Sequence, residues 1–106
     1  MNIVFMGTSQ FAVPALQKLV ASEHRVLAVV TKPDKPKGRG QQIHPSAIKE
    51  VALEHKLFLY QPEEMKDYEF IRALRALSPD IIVVVAYGNK LPETILQMPR
   101  YYCLNI

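Results

Sequence analysis

Apolar positions along the chain fall into short blocks, some with strand-like and some with helix-like spacing, and the two kinds alternate. Asn2-Ile3-Val4-Phe5-Met6 is an apolar, β-prone run closed by Gly7 and predicts a buried strand. After Gly7-Thr8-Ser9-Gln10, apolar residues at Ala12, Leu16, Leu19 and Val20 carry helical spacing. Thr8 or Ser9 is placed to cap that helix, and Pro14 falls within its first turn or so, where a missing N–H is best tolerated. Arg25 to Thr31 holds Val26-Leu27-Ala28-Val29-Val30, a second buried strand. Ser46 predicts the cap of a helix with apolar positions at Ile48, Val51, Ala52 and His55. Leu57 to Tyr60 predicts a short third strand, stopped by Gln61-Pro62. A helix from about Asp67 carries Ile71, Leu74 and Leu77 on one face and ends at Ser78-Pro79-Asp80. Ile81 to Ala86 is the strongest strand, opening with five β-branched residues in a row. Pro92 to Met98 predicts a short helix and Tyr101 to Ile106 a fifth strand.

Strands that alternate with helices, and that are apolar throughout instead of at every second residue, imply a parallel sheet covered on both faces. The expected fold is α/β, a Rossmann-like doubly wound parallel sheet of about five strands in one domain, with no internal linker or repeat. Ligands of such sheets lie beyond the carboxyl ends of the strands. The places to search are therefore Gly7 to Phe11, the stretch from Lys32 to Pro45, Ala86 to Leu91, and Asn105.

Composition narrows this reading. The 106 residues are 49% hydrophobic and 22% charged, a mix that suits a globular domain and argues against disorder. The lone Cys103 excludes an intrachain disulfide and fits a reducing compartment. The longest apolar run is too short to cross a bilayer, and no signal peptide opens the chain, so a cytoplasmic protein without membrane partners is expected. The net charge of +3 is concentrated in one place. Lys32, Lys35, Lys37 and Arg39 stand against Asp34 alone, and the rest of the chain is neutral. That stretch, Lys32 to Pro45, has three prolines, two glycines and no periodicity, and reads as a functional loop.

Several ligands are disfavoured. The first strand-to-helix turn has one glycine, Gly7, with Ser9 and Ala12 where a dinucleotide site needs the second and third. Gly38-Arg39-Gly40 follows no strand directly and is not a nucleotide fingerprint. His24, His44 and His55 are scattered, so no metal site is expected. Cys103, inside a strand, reads as a small core residue.

Five segments in register resemble the methionyl-tRNA formyltransferase family. They are Gly7-Thr8-x-x-Phe11-Ala12-Val13-Pro14, Pro33-Asp34-Lys35-Pro36-x-Gly38-Arg39-Gly40, Gln61-Pro62, Val83-Val84-Val85-Ala86-Tyr87-Gly88-x-x-Leu91-Pro92, and Met98-Pro99-Arg100-x-x-Cys103-x-Asn105. The resemblance implies transfer of a formyl group from 10-formyltetrahydrofolate, as co-substrate, to the α-amine of methionyl initiator tRNA. In the family an Asn and a His two residues later stabilise the tetrahedral oxyanion, and a later Asp manages protons. The Asn falls on Asn105, and the chain ends one residue on at Ile106. By this resemblance residues 1–106 are the N-terminal portion of a formyltransferase catalytic domain. The remainder of that domain and the C-terminal tRNA-binding domain lie outside the sequence, and the chain alone is expected to be inactive.

The resemblance also implies that Tyr87, Gly88, Asn89, Lys90 and Leu91 line the folate pocket. Gly88 would allow close backbone approach, and Tyr87 and Leu91 would offer apolar surface. Asn89 and Lys90 depart from the family's usual Gln and apolar residue, as Ser9-Gln10 depart from Pro-Asp. Tyr87 reads equally as a strand-end core residue, and Phe11 reads as core in preference to a folate neighbour. By the same resemblance Lys35, Lys37 and Arg39 bind tRNA, the basic loop meeting the acceptor end. Lysine and arginine attract phosphate without regard to sequence.

Two other readings stand beside this one. One is a folate-dependent formyltransferase acting on a nucleotide sugar or small amine, against which Gly38-Arg39-Gly40 argues. The other is a non-catalytic RNA-binding module built on the basic loop. The apolar ending Tyr101-Tyr102-Cys103-Leu104 also predicts self-association through an exposed last strand.

Overall fold

The computed structural model describes residues 1–37, 40 and 42–106, with Lys37 described by its backbone only. Five strands form one parallel sheet: β1 (Asn2–Gly7), β2 (Arg25–Val30), β5 (Leu59–Tyr60), β6 (Ile81–Val85) and β7 (Tyr102–Asn105). Their order is β5-β2-β1-β6-β7. The chain builds outward from β1 to one side and then returns to build the other. The order therefore reverses between β1 and β6, where a doubly wound sheet leaves its crevice.

The alternation of side chains along each strand explains why both faces are covered. Ile3 and Phe5 of β1, Val29 of β2 and Ile81 and Val83 of β6 face one layer. They meet Leu16 of α1 (Val13–Ala21) and Ile48, Val51 and Ala52 of α2 (Ala47–Glu54). Val4 and Met6, Val30, and Ile82 and Val84 face the other. There they meet Phe70 and Leu74 of α3 (Tyr68–Leu77) and Ile95 of α4 (Glu93–Leu96). Every residue of β6 is buried, as its unbroken apolar run requires. Leu16, Leu74 and Ile95 have no exposed surface, and burying each contributes about 1.5–3 kcal/mol.

The caps follow the sequence. The Ser46 hydroxyl accepts from the Lys49 backbone N–H and opens α2, and the Asp67 carboxylate accepts from the Glu69 N–H and opens α3. α1 itself has no side-chain cap; Ser9, not Thr8, caps the turn before it, its hydroxyl accepting from the Phe11 N–H. It opens a 3-10 turn at Gln10–Ala12 that leads into α1, where Pro14 stands in the first turn.

Three expectations are corrected. Phe11 does not pack in the core: it is 88% exposed. The turn aims Ala12 fully inward, and its neighbour Phe11 consequently projects into solvent. Lys32 to Pro45 is not without regular structure. It holds a hairpin of β3 (Lys35–Lys37) and β4 (Gln42–His44), paired antiparallel and separate from the main sheet. Cys103 is half-buried and not a full core residue, because β7 is an edge strand. Along that edge Tyr101, Tyr102, Leu104 and Ile106 are exposed. Among the described residues no helix is long and apolar enough to cross a membrane.

Candidate functional site at the carboxyl ends of the strands

The chain that leaves β1 and the chain that leaves β6 are tied together at the crevice. The backbone N–H groups of Thr8 and Ser9 both donate to the Ala86 carbonyl, at 3.1 and 3.3 Å. The Thr8 hydroxyl donates to the Tyr87 carbonyl at 2.8 Å and lies 3.4 Å from the Lys32 N–H, which donates to it. One threonine thus joins the ends of β1, β2 and β6. The approach is close because residue 7 is glycine. A Cβ there would lie 2.8 Å from the Val85 carbonyl oxygen.

The loop after β6 turns sharply. Ala86 takes φ +47° and Gly88 φ +97°, both in the left-handed region. The turn sends the Tyr87 ring inward. It is 2% exposed and its hydroxyl donates to the Met65 sulfur at 3.1 Å. Burial pushes the Tyr87 phenol above its usual range, with Asn89 pulling weakly the other way. Leu91 is buried in the same cluster, whereas Gly88, Asn89 and Lys90 are exposed. Of the five residues expected to line a folate pocket, Tyr87 and Leu91 therefore support the loop from beneath, and the central three present it to solvent. Lys32, which periodicity did not single out as a neighbour, lies across this loop. A Cβ on Gly88 would come within 2.8 Å of its ammonium nitrogen.

Asn105 closes β7 beside Val84, and its side chain is exposed at the same end of the sheet. The following Ile106 N–H still donates to the Val84 carbonyl at 2.9 Å, so the strand is held up to its last residue. A neutral amide in this position is free to donate to an oxyanion.

The basic hairpin stands on the other side of the crevice. Lys35 is exposed on it; Gly38 and Arg39 lie outside the described residues, as does the Lys37 side chain. A cleft of about 410 Å³ separates the hairpin from the first turn. Thr8, Ser9 and Gln10 form one wall, Pro33, Lys35, Pro36 and His44 another, and Ser46 and Ala47 the floor at the start of α2. At the root of the hairpin the Asp34 carboxylate accepts two hydrogen bonds from the Lys49 ammonium, at 2.9 and 3.1 Å, and one from the Gln61 amide at 2.8 Å. Lys49 and Gln61 hold the Asp34 carboxyl below its usual range. Asp34 and Gln61 both lie in the family-like sequence segments, but nothing in the sequence marked Lys49. Among the described residues no cluster of histidine, cysteine or carboxylate side chains has the makings of a metal site.

Four segments far apart in sequence thus converge on one edge: the Thr8–Phe11 turn, the hairpin, the Ala86–Leu91 loop and Asn105. Comparison with known proteins accounts for the convergence. Residues 1–106 match the formyl transferase family. The chain is 50% identical over 106 residues to the methionyl-tRNA formyltransferase of Clostridioides difficile (strain 630), covering 100% of this chain and 34% of that protein. It is 48% identical over 107 residues to the methionyl-tRNA formyltransferase of Sulfurihydrogenibium sp. (strain YO3AOP1), again covering 100% of this chain and 34% of the relative. To that of Thermodesulfovibrio yellowstonii it is 50% identical over 105 residues, or 99% of this chain and 34% of the relative. The chain spans about a third of the length of these curated relatives. With all of residues 1–106 inside the family match, the chain belongs to the formyl transferase family.

Proposed function

We propose that the protein takes part in formyl transfer from 10-formyltetrahydrofolate to the α-amine of methionyl initiator tRNA. The observation that carries the reading is the opposition of two surfaces across one crevice. On one side is a solvent-facing loop, Gly88 to Lys90, with Asn105 at the neighbouring strand end. On the other is a basic hairpin bearing Lys35, with Lys37 and Arg39 in its sequence. A folate suits the first, since flat heterocycles are held by backbone groups over apolar support such as Tyr87 and Leu91. A tRNA acceptor end suits the second, since phosphates are drawn to clustered cations. The relatives, named methionyl-tRNA formyltransferases, agree with the tRNA half and with transfer of a formyl group.

In the proposed reaction the methionyl amine attacks the formyl carbon. A C–N bond forms, the carbonyl electrons move onto oxygen, and the Asn105 amide donates to that oxyanion. Collapse breaks the bond from carbon to the folate nitrogen. The amine gives up one proton and the folate nitrogen gains one. Asn105 acts on charge that exists only near the transition state, so its contribution appears in kcat.

The test is Asn105→Ala in the full-length protein, assayed for formylation of methionyl initiator tRNA. The expected loss is about 10²–10³ in kcat, the usual effect of removing one oxyanion donor, with little change in either KM. An unchanged kcat would remove Asn105 from the reaction. Absence of transfer by the unsubstituted protein would remove the reading altogether. Formylation of a nucleotide sugar in preference to tRNA would favour the small-amine alternative instead.

A further inference from the structure

The tRNA-facing hairpin is poorly equipped to hold its own direction. It has two strands of three residues each, β3 and β4, that pair only with one another. Hairpins of this kind are marginal in water without a packed face. Gln42, Ile43 and His44 are all exposed, so β4 supplies no such face. Whatever directs the hairpin must act at its roots.

Both roots are anchored. At the exit, the Ser46 hydroxyl lies 2.7 Å from that of Thr31, which is fully buried at the end of β2. At the entry stands Asp34, immediately before β3. Its carboxylate is gripped on two sides. Lys49, from the first turns of α2, donates to both oxygens at 2.9 and 3.1 Å. Gln61, just after β5, donates to one of them at 2.8 Å and also to the Lys32 carbonyl at 3.3 Å. Lys49 is itself fixed, because its backbone N–H is the donor to Ser46 that caps the helix. Two segments that the formyl-transfer reading leaves without a role, Pro33-Asp34 and Gln61-Pro62, thus meet, and the residue that completes their contact is Lys49.

We propose that Asp34 is the positioning residue of the basic hairpin: held by Lys49 and Gln61, it sets the hairpin at the angle from which its cations meet the phosphates of the tRNA substrate. The inference rests on the tRNA reading above and adds to it the element that orients the tRNA-facing surface. Asp34 touches no substrate. It acts through the direction of β3, so removing it weakens tRNA binding and leaves the chemistry at Asn105 alone.

The test uses the full-length protein and three variants: Asp34→Asn, which keeps shape and removes charge, Lys49→Met, and the two combined. Backbone hydrogen exchange is followed by mass spectrometry in a peptide spanning residues 33–45 and in β1 and β6. Formylation is assayed with each substrate varied in turn. Each single variant is expected to speed exchange in the hairpin by about two- to fivefold, the range for a partly exposed ion pair, with β1 and β6 unchanged. The KM for tRNA should rise by a similar factor, about two- to fivefold, while kcat and the KM for the formyl donor stay put. The double variant should resemble either single one, because the pair acts as a unit. Unchanged exchange in the hairpin overturns the proposal. So does a rise in the KM of both substrates together, which would mark a merely structural role. Faster exchange with an unchanged tRNA KM overturns it too, by showing that hairpin direction is irrelevant to tRNA. Failure of the formyl-transfer reading itself is seen separately, as absence of activity in the unsubstituted protein.

Discussion

Gly7 is closely packed on three sides, and adding a single carbon there should be felt in stability. It ends β1 opposite Val85 of β6. A Cβ on Gly7 would lie 2.8 Å from the Val85 carbonyl oxygen, 2.9 Å from a Phe5 ring carbon and 3.0 Å from the Ala12 Cβ. Ordinary contact begins near 3.4 Å, so these neighbours would have to retreat by roughly 0.4–0.6 Å. None has room to do so. The oxygen belongs to a buried strand, and Phe5 and Ala12 have no exposed surface. Overpacking of this kind costs about 1–3 kcal/mol. Against it stands the smaller unfolded-state entropy of alanine, which favours the folded chain by about 0.4–1 kcal/mol. The clash wins, and Gly7→Ala should destabilise by about 1–2 kcal/mol, or about five- to thirtyfold in the folding equilibrium.

The assay is urea unfolding of the full-length protein followed by far-ultraviolet circular dichroism. The midpoint should fall by on the order of 0.5–1 M for an m-value of about 2 kcal/mol per molar. Gly7→Val should fall further, since two more methyl groups enter the same space. A midpoint for Gly7→Ala equal to or above that of the unsubstituted protein would refute the reasoning. It would show that β1 and β6 separate at this point without penalty.

Tyr87 should behave as a core residue: Tyr87→Phe removes the hydroxyl with its bond to Met65 and should cost under about 1.5 kcal/mol, whereas Tyr87→Ala opens a cavity and should cost about 3–5 kcal/mol. Thermal unfolding distinguishes the two, and equal losses would contradict the packing described. Burial pushes the Cys103 thiol up, so less of it is thiolate at neutral pH than in a free cysteine. Alkylation by iodoacetamide should therefore be slower than that of free cysteine, with its rise displaced above a pH of about 8.5; a rate matching the free thiol would count against the burial.

What could be read in the sequence follows from what each element needs. Strands of a parallel sheet are apolar on both faces, so β1, β2 and β6 announced themselves as continuous runs. Ser46 could be read as a cap because an oxygen-bearing side chain stood just before the helical pattern. The hairpin had no such mark. Lys-Pro-Lys and Gln-Ile-His are too short to show a period, and proline is a poor ladder residue, tolerated here because β3 has a single partner strand. Phe11 was misread because helical spacing says which residues share a face of α1, but not where the 3-10 turn before it aims its side chains. Tyr87 was ambiguous for a related reason. Only the left-handed turn at Ala86 and Gly88 decides that its ring goes beneath the loop and not above it.

The site was legible in place and not in partnership. Doubly wound topology puts every strand end on one edge, so knowing where the strands stop is enough to locate Thr8, the hairpin, the Gly88 loop and Asn105 together. It says nothing of which side chains meet there. Asp34, Lys49 and Gln61 come from a loop, a helix and a strand end separated by 15 and 12 residues, and no periodicity links them. Their contact exists because α2 begins, and β5 ends, at the edge of the sheet where β2 also ends. The polar residues at the strand ends therefore do two kinds of work. Those left exposed at a strand end, such as Asn105, are open to solvent, while those that bond one another, such as Asp34, Lys49 and Gln61, fix the loops between the strands.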